Sequence, residues 1–243
     1  MRLAVLGGVL GLALVVVAAI ALSIYRTHPP EAPEQAKAVP PVYPVNSGGV
    51  IVYLVAPAGE PVVLINSGAD PEASAILAQL SALGRTPEDV VAIVLNHGSY
   101  DHWAGHSHFP NATVYGARTD LELVDHARRI ESKTPRMHMR LFGRPPKPHA
   151  LRSVVASQLL RFGTLEFDCI PVPGVTQGTM AYRWQDFLFV GDTLWRDEDR
   201  LSPPPSNWLE RRTDLPVILK RLDRHPTPWL ATSRHGLLPR DVD

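Results

Sequence analysis

The chain has 243 residues with 24 basic and 24 acidic side chains, so it is formally neutral at pH 7. That length suits one domain of about 200 residues with an ample core. The balanced charge gives no footprint for nucleic acid or for an acidic partner. A single cysteine, Cys169, excludes an internal disulfide. Its place in the alternating run Phe167-Asp168-Cys169-Ile170 marks it as a packed small side chain rather than a ligand or nucleophile.

The first element in chain order is apolar. Leu3 to Tyr25 carries no charge and is long enough to cross a bilayer as a helix, with Arg2 before it and Arg26 after it. Residues 1–27 are expected to be a transmembrane anchor. A secretory signal peptide with Ala19-Ile20-Ala21 at its cleavage site is the alternative. An anchor implies a globular domain outside the cytoplasm, periplasmic or at the cell surface, and cleavage implies secretion. With one arginine on each flank, the positive-inside rule barely decides orientation. Residues 28–42 contain Pro29, Pro30, Pro33, Pro40 and Pro41 and read as a stiff, extended linker. Residues 43–243 read as the folded domain.

Inside that domain strands and helices alternate. Strands are expected at 49–55 and 62–66 around the turn Ala58-Gly59, followed by a helix at 70–83 stopped by Gly84. Val90 to Leu95 is an apolar, β-branched run and reads as a central strand; Thr113 to Tyr115 is a short one. Thr119-Asp120-Leu121-Glu122 has the form of a capping box opening a helix to about Ser132. Strands follow at 165–172, 179–184 and 187–190, then a helix over 207–224 with a kink or break at Pro216, then a strand at 229–232. Between Arg128 and Arg152 lie many basic residues, among them Arg129, Arg136, Arg144 and Lys147, against the single acid Glu131. Pro135, Pro145, Pro146 and Pro148 oppose regular structure there. A basic stretch of this kind suits an anionic small molecule or anionic lipid headgroups; a solvated mobile loop is the plainer reading.

The chemistry concentrates after the central strand, in Leu95-Asn96-His97-Gly98-Ser99-Tyr100-Asp101-His102-Trp103. A strand that ends in a turn gathers the following side chains at one rim of the sheet. Three metal-capable groups at one rim form a metal-site arrangement. The spacing resembles the His-x-His-x-Asp-His signature of the metallo-β-lactamase-like hydrolases, with Ser99 in place of the second His. More segments follow the family order. Val63-Leu64-Ile65-Asn66-Ser67-Gly68 resembles Ile-Asp-Thr-Gly with Asn66 for Asp, and Pro173-Gly174-Val175-Thr176 resembles Pro-Gly-His-Thr with Val175 for His. Gly191-Asp192-Thr193-Leu194 retains its Asp, and Ser233-Arg234-His235-Gly236 retains its His-Gly.

The resemblance implies an α/β fold, an αββα four-layer sandwich with its metals at one end of the two sheets. It also implies that the insertion at 128–152 roofs the metal cleft. Carried over residue by residue, the first metal position retains His97 alone, because Ser99 and Val175 cannot replace imidazole. The second position retains Asp101, His102 and His235, with Asp192 shared. The expected metal ligands are therefore Asp101, His102, Asp192, His235 and His97, holding one zinc or another divalent ion. Asp192 and Asp101 are the expected catalytic carboxylates. The implied activity is hydrolysis of an ester, thioester, lactone or amide in a small, anionic substrate, by a domain tethered to a membrane. The alternative is a catalytically inactive pseudoenzyme that binds a ligand or partner at the old cleft. Ser99 is read as a loop hydroxyl, and His106 and His108 as surface residues.

Overall fold

The β-branched runs of the first half become strands buried on both faces. In a computed structural model that describes residues 32–34, 36–142, 144–197, 200–211 and 214–240, one six-stranded sheet has the order β1 (Val42–Asn46), β2 (Ile51–Val55), β3 (Val62–Ile65), β4 (Val90–Val94), β5 (Thr113–Ala117), β6 (Leu151–Val154). β1 to β3 pair antiparallel, and β3 to β6 run parallel. The second sheet contains β7 (Leu159–Phe162), β8 (Leu165–Pro171), β9 (Met180–Trp184), β10 (Phe187–Gly191), β13 (Trp229–Thr232) and β14 (Gly236–Pro239). It is antiparallel except where β10 and β13 run parallel. A small hairpin, β11 (Trp195–Asp197) with β12 (Arg200–Ser202), follows β10.

Side-chain alternation in these strands builds the layers. In β2, Ile51, Tyr53 and Val55 face a core shared with Phe167, Tyr182, Trp184 and Phe189 of the second sheet. Val52 and Leu54 face the other way, onto Ile76 and Leu80 of α1 (Ser74–Ala82) and Leu121 and Val124 of α2 (Arg118–Val124). On the far side, Leu188, Val190 and Leu230 meet Ile218 and Leu222 of α4 (Leu215–Leu222). The result is the expected αββα order, with apolar layers on both faces of each sheet.

The sheets are also joined by polar side chains at the end where β4 stops. The Asn96 amide donates to the carbonyls of Met180 at 2.8 Å and Phe189 at 3.0 Å in the second sheet. Tyr182 Oη donates back to the Leu95 carbonyl at 2.9 Å, and Tyr53 Oη to the Thr232 carbonyl at 2.7 Å. These bonds fix the ends of β4, β10 and β13 relative to one another, and the loops that leave those strands carry the site.

Several elements differ from expectation. The helix expected from Thr119 to about Ser132 ends at Val124, where His126 turns into the left-handed region at φ 60°. Asp120 does not cap it; its side chain is buried against loops described below. A second helix, α3 (Lys133–Phe142), stands where prolines argued against regular structure, because Pro135 falls in its first turn and forfeits no helical hydrogen bond there. The single helix over 207–224 is a 3-10 turn at Ser206–Trp208 followed by α4. Pro216 lies in the first turn of α4 and starts that helix instead of kinking it. Folded contacts begin before residue 43: Ala32 is buried in the inter-sheet core, and Asn46 Nδ2 donates to its carbonyl at 3.1 Å. The expected transmembrane helix at 1–27 lies outside the described residues. Among those described, no helix is long and apolar enough to cross a membrane.

Replacing Asn96 should test the polar clasp. Asn96→Ala strands two carbonyls and the Asn66 amide in a dry interior, so urea denaturation of the full chain should show a loss of about 3 kcal/mol. A loss below about 1 kcal/mol would show that the apolar layers alone align the sheets.

Candidate metal centre

The turn after β4 compresses His97 to His102 into a small volume. Gly98 allows this, because a Cβ there would lie 2.6 Å from the Asp120 carbonyl oxygen. A 3-10 turn at Tyr100–His102 then places the His102 ring against that of His97, centroids 3.8 Å apart. Asp192 arrives from the loop after β10. Its Oδ2 lies 3.2 Å from His102 Nε2 and 3.6 Å from His97 Nε2. All three residues are buried, and one donor atom from each lies within 4.8 Å of the others.

Arg234 completes the cluster. From the loop after β13 its guanidinium grips Asp192 along one edge, Nε to Oδ1 at 3.0 Å and Nη2 to Oδ2 at 3.0 Å. The same Nη2 reaches Asp101 Oδ2 at 2.9 Å, and Nη1 donates to the Gly49 carbonyl at 3.0 Å. Its side chain is 4% exposed. Trp195 Nε1 donates to Asp192 Oδ1 at 3.3 Å. Burial alone would raise the Asp192 pKa. Arg234, together with the His102 hydrogen bond and the nearby His97 ring, outweighs burial and holds it well below the usual carboxylate range. Asp101 is lowered too, since His102 and Arg234 overcome its burial. Burial pushes His97 down, and the neighbouring His102 adds to it, so its imidazole is neutral at pH 7. Burial also raises the Tyr100 phenol, to about 12, with the Asp101 charge contributing.

Further polar contacts frame this cluster. Asp120 accepts from Gly98 N at 2.9 Å, Thr176 Oγ1 at 2.6 Å and Gly178 N at 3.2 Å, and so ties the His97 loop to the Pro173–Gly178 loop. Burial raises its pKa against those bonds. Asn66 adopts φ 63°, a left-handed conformation that Asn tolerates, and pairs its amide with Asn96: Nδ2 donates to Asn96 Oδ1 and Oδ1 accepts from Asn96 N.

The sequence-derived ligand set is therefore only partly brought together. His97, His102 and Asp192 converge. Asp101 faces Arg234 and stands outside that three-residue group. His235 is also outside it; its backbone N–H is held by Thr232 Oγ1 at 3.0 Å, and its Nε2 has no hydrogen-bond partner. Ser99 and Val175 are buried at the positions where the resemblance expects imidazoles. His106, read as a surface residue, is buried with Nδ1 2.9 Å from the Trp103 carbonyl. Sequence reasoning missed Arg234 and Asp120. Arg234 sits beside the retained His-Gly pair, so a basic residue next to a family landmark was the available signal. Asp120 was concealed as an intervening position of the expected Thr119–Glu122 capping box.

The residues fit one divalent ion. Two imidazoles and a carboxylate are zinc-type donors, and His97 Nε2 is buried without a hydrogen-bond partner. Three protein donors leave an open coordination position.

Comparison with known proteins agrees with this reading of the fold. Curated relatives include the hydroxyacylglutathione hydrolase of Aeromonas hydrophila subsp. hydrophila, 28% identical over 131 residues, 52% of this chain and 41% of that protein. The corresponding enzyme of Pectobacterium atrosepticum is 29% identical over 148 residues, 59% of this chain and 47% of that protein. The chain thus spans under half the length of these relatives. Among solved structures, the metallo-beta-lactamase SMB-1 bound to 2-mercaptoethanesulfonate aligns with a TM-score of 0.61 at 18% identity, covering 84% of this chain and 81% of that one. The BLEG-1 B3 metallo-beta-lactamase aligns with a TM-score of 0.61 at 22% identity, covering 82% and 93%. The sequence profile of the metallo-beta-lactamase superfamily matches residues 46–231. The chain belongs to the metallo-beta-lactamase superfamily.

Proposed function

We propose that this chain is a hydrolase working with a single divalent ion, zinc before others, held by His97, His102 and Asp192. The observation that carries the reading is the convergence of three buried donors, His97, His102 and Asp192, with one ligand atom from each within 4.8 Å of the others. Asp101 and Asp192 are both held ionised, and Arg234 is the cation they share. Asp192 Oδ2 also faces two buried imidazoles, and each ring has a nitrogen without a hydrogen-bond partner, His97 Nε2 and His102 Nδ1. A buried polar atom without a partner is costly, and a metal ion held by His97 Nε2 relieves it.

A bound divalent ion would supply Lewis-acid polarisation of a carbonyl and activation of water. The chain's own groups position and orient. Arg234 and Trp195 fix the Asp192 carboxylate so that Oδ2 faces both imidazoles. The depressed pKa of Asp192 makes it a weak base and a good ligand. Asp101, lowered in the same way, serves to anchor Arg234.

Thioesters are the first substrate class to test, because the curated relatives are hydroxyacylglutathione hydrolases; esters, lactones and amides follow. A largely apolar cleft of about 490 Å³ beside Tyr100, Ala104 and Pro145 suits an acyl group. Arg144 lines both that cleft and a second cavity of about 250 Å³ lined by Arg129, Ile130, Arg136 and Met139, without an acid. The three arginines favour an anionic substrate. The apolar run at 3–25 would tether the domain to a membrane, outside the cytoplasm.

A second reading, a metal-free binding module, has a specific observation in its favour. The Ser99 N–H points at His97 Nδ1 at 3.4 Å, which favours the tautomer with its proton on Nε2, facing Asp192. Elemental analysis of the purified chain separates the two. The hydrolase reading expects about one zinc per chain, and His97→Ala should lower that content and abolish thioester turnover. A wild-type chain that takes up no zinc and turns over no ester or thioester leaves the binding module. For the anionic substrate, Arg136→Ala and Arg144→Ala should each raise KM for a carboxylate-bearing thioester about tenfold, about 1.4 kcal/mol, with kcat held. An equal effect on an uncharged thioester would remove the arginines from recognition.

A further inference from the structure

The two carboxylates that the family resemblance assigns to a second metal, Asp101 and Asp192, are bridged by one nitrogen of Arg234, at 2.9 and 3.0 Å. We infer that Arg234 is a built-in cation that takes the place of the second ion, so that the centre accepts one metal ion fewer with the arginine than without it.

The geometry matches what an ion would do there. A bridging cation must contact both carboxylates at once, and Nη2 does. It must be shielded from water, and the side chain is 4% exposed. It must keep its charge at all working pH values, which a guanidinium does. The remaining member of the implied second position adds an independent observation. His235 adjoins Arg234 in sequence, and its Nε2 is buried and accepts or donates no hydrogen bond. Removing the guanidinium therefore exposes Asp101 and Asp192 to each other, with His102 beside Asp192 and an unengaged imidazole next along the chain. These are donor types that zinc takes. With Arg234 present, both carboxylates have a partner without any metal, and the loops after β4, β10 and β13 are fastened together by a side chain instead of an ion.

The inference does not depend on the first ion. The absolute zinc content of the wild type tests the hydrolase proposal; the change on removing Arg234 tests this one. Full-length wild type, Arg234→Ala and Arg234→Lys would be dialysed against zinc and analysed for bound metal, with cobalt absorption as a second readout. Arg234→Ala should bind one more ion per chain than wild type, whatever the wild type binds. Arg234→Lys, which keeps a positive charge, should bind no more than wild type. Asp101→Asn placed on Arg234→Ala should abolish the increment. Should Arg234→Ala fail to fold without metal, recovery of a cooperative melting transition on adding zinc supports the inference. Equal metal content in wild type and Arg234→Ala overturns it, as does an unfolded Arg234→Ala that zinc does not rescue.

Discussion

A guanidinium buried between two carboxylates is the constraint on which this end of the molecule rests. Arg234 reaches the carbonyl of Gly49 in the turn between β1 and β2, Asp101 in the turn after β4, and Asp192 in the loop after β10. Those three segments come from both sheets. Ion pairs removed from water lose hydration and add net stability only when their geometry is good and every remaining donor is used. Here the fork of Arg234 is engaged on both edges, and Asp192 accepts from Arg234, Trp195 and His102. Breaking one partner would leave the others as uncompensated charge, so the cluster acts as a unit.

Around this charged unit lies a ring of further hydrogen bonds, and it accounts for a residue that departs from the family pattern. Position 66 must donate to Asn96 Oδ1 and accept from Asn96 N. An amide does both; a carboxylate accepts but cannot donate, and would bring a further carboxylate to a buried cluster that already holds Asp101 and Asp192. Farther out, Glu210 accepts from Arg128 through both oxygens and from the backbone N–H groups of Glu131 and Gln177. That clamp draws the basic segment onto the Pro173–Gly178 loop, which Asp120 fastens to the His97 turn. Val175, in the same loop, is buried, so an apolar side chain fills the position instead of a ligand.

Elements dictated by periodicity were legible in the sequence. The runs at 90–94, 180–184, 187–191 and 229–232 are strands because alternating or continuous apolar side chains have only sheets to bury them. Helix limits were less legible. Asp120 looks like the second residue of a capping box until the long-range donors Gly98 and Thr176 claim its carboxylate. Pro216 looks like a break until the start of α4 is known. At the site, His97, His102 and Asp192 follow from motif order. Arg234 does not, because its partner Asp101 lies 133 residues earlier and no local window contains both.

Counting lost family ligands one position at a time gives a misleading picture of this centre. By that count the first metal position is gone and the second survives. The side chains instead regroup across the two: His97 from the first position converges with His102 and Asp192, while Asp101 turns to Arg234. What the regrouping preserves is local charge compensation. The guanidinium pairs with both carboxylates, and Asp192 with the two imidazoles beside it are donor types that a metal ion takes. An arginine brings less charge than a divalent ion but, being covalently part of the chain, cannot dissociate from the loops it joins. The fold alone leaves the reaction open. Fold and function meet at Asp192, since both of its oxygens already accept from Arg234 and any ion must share them.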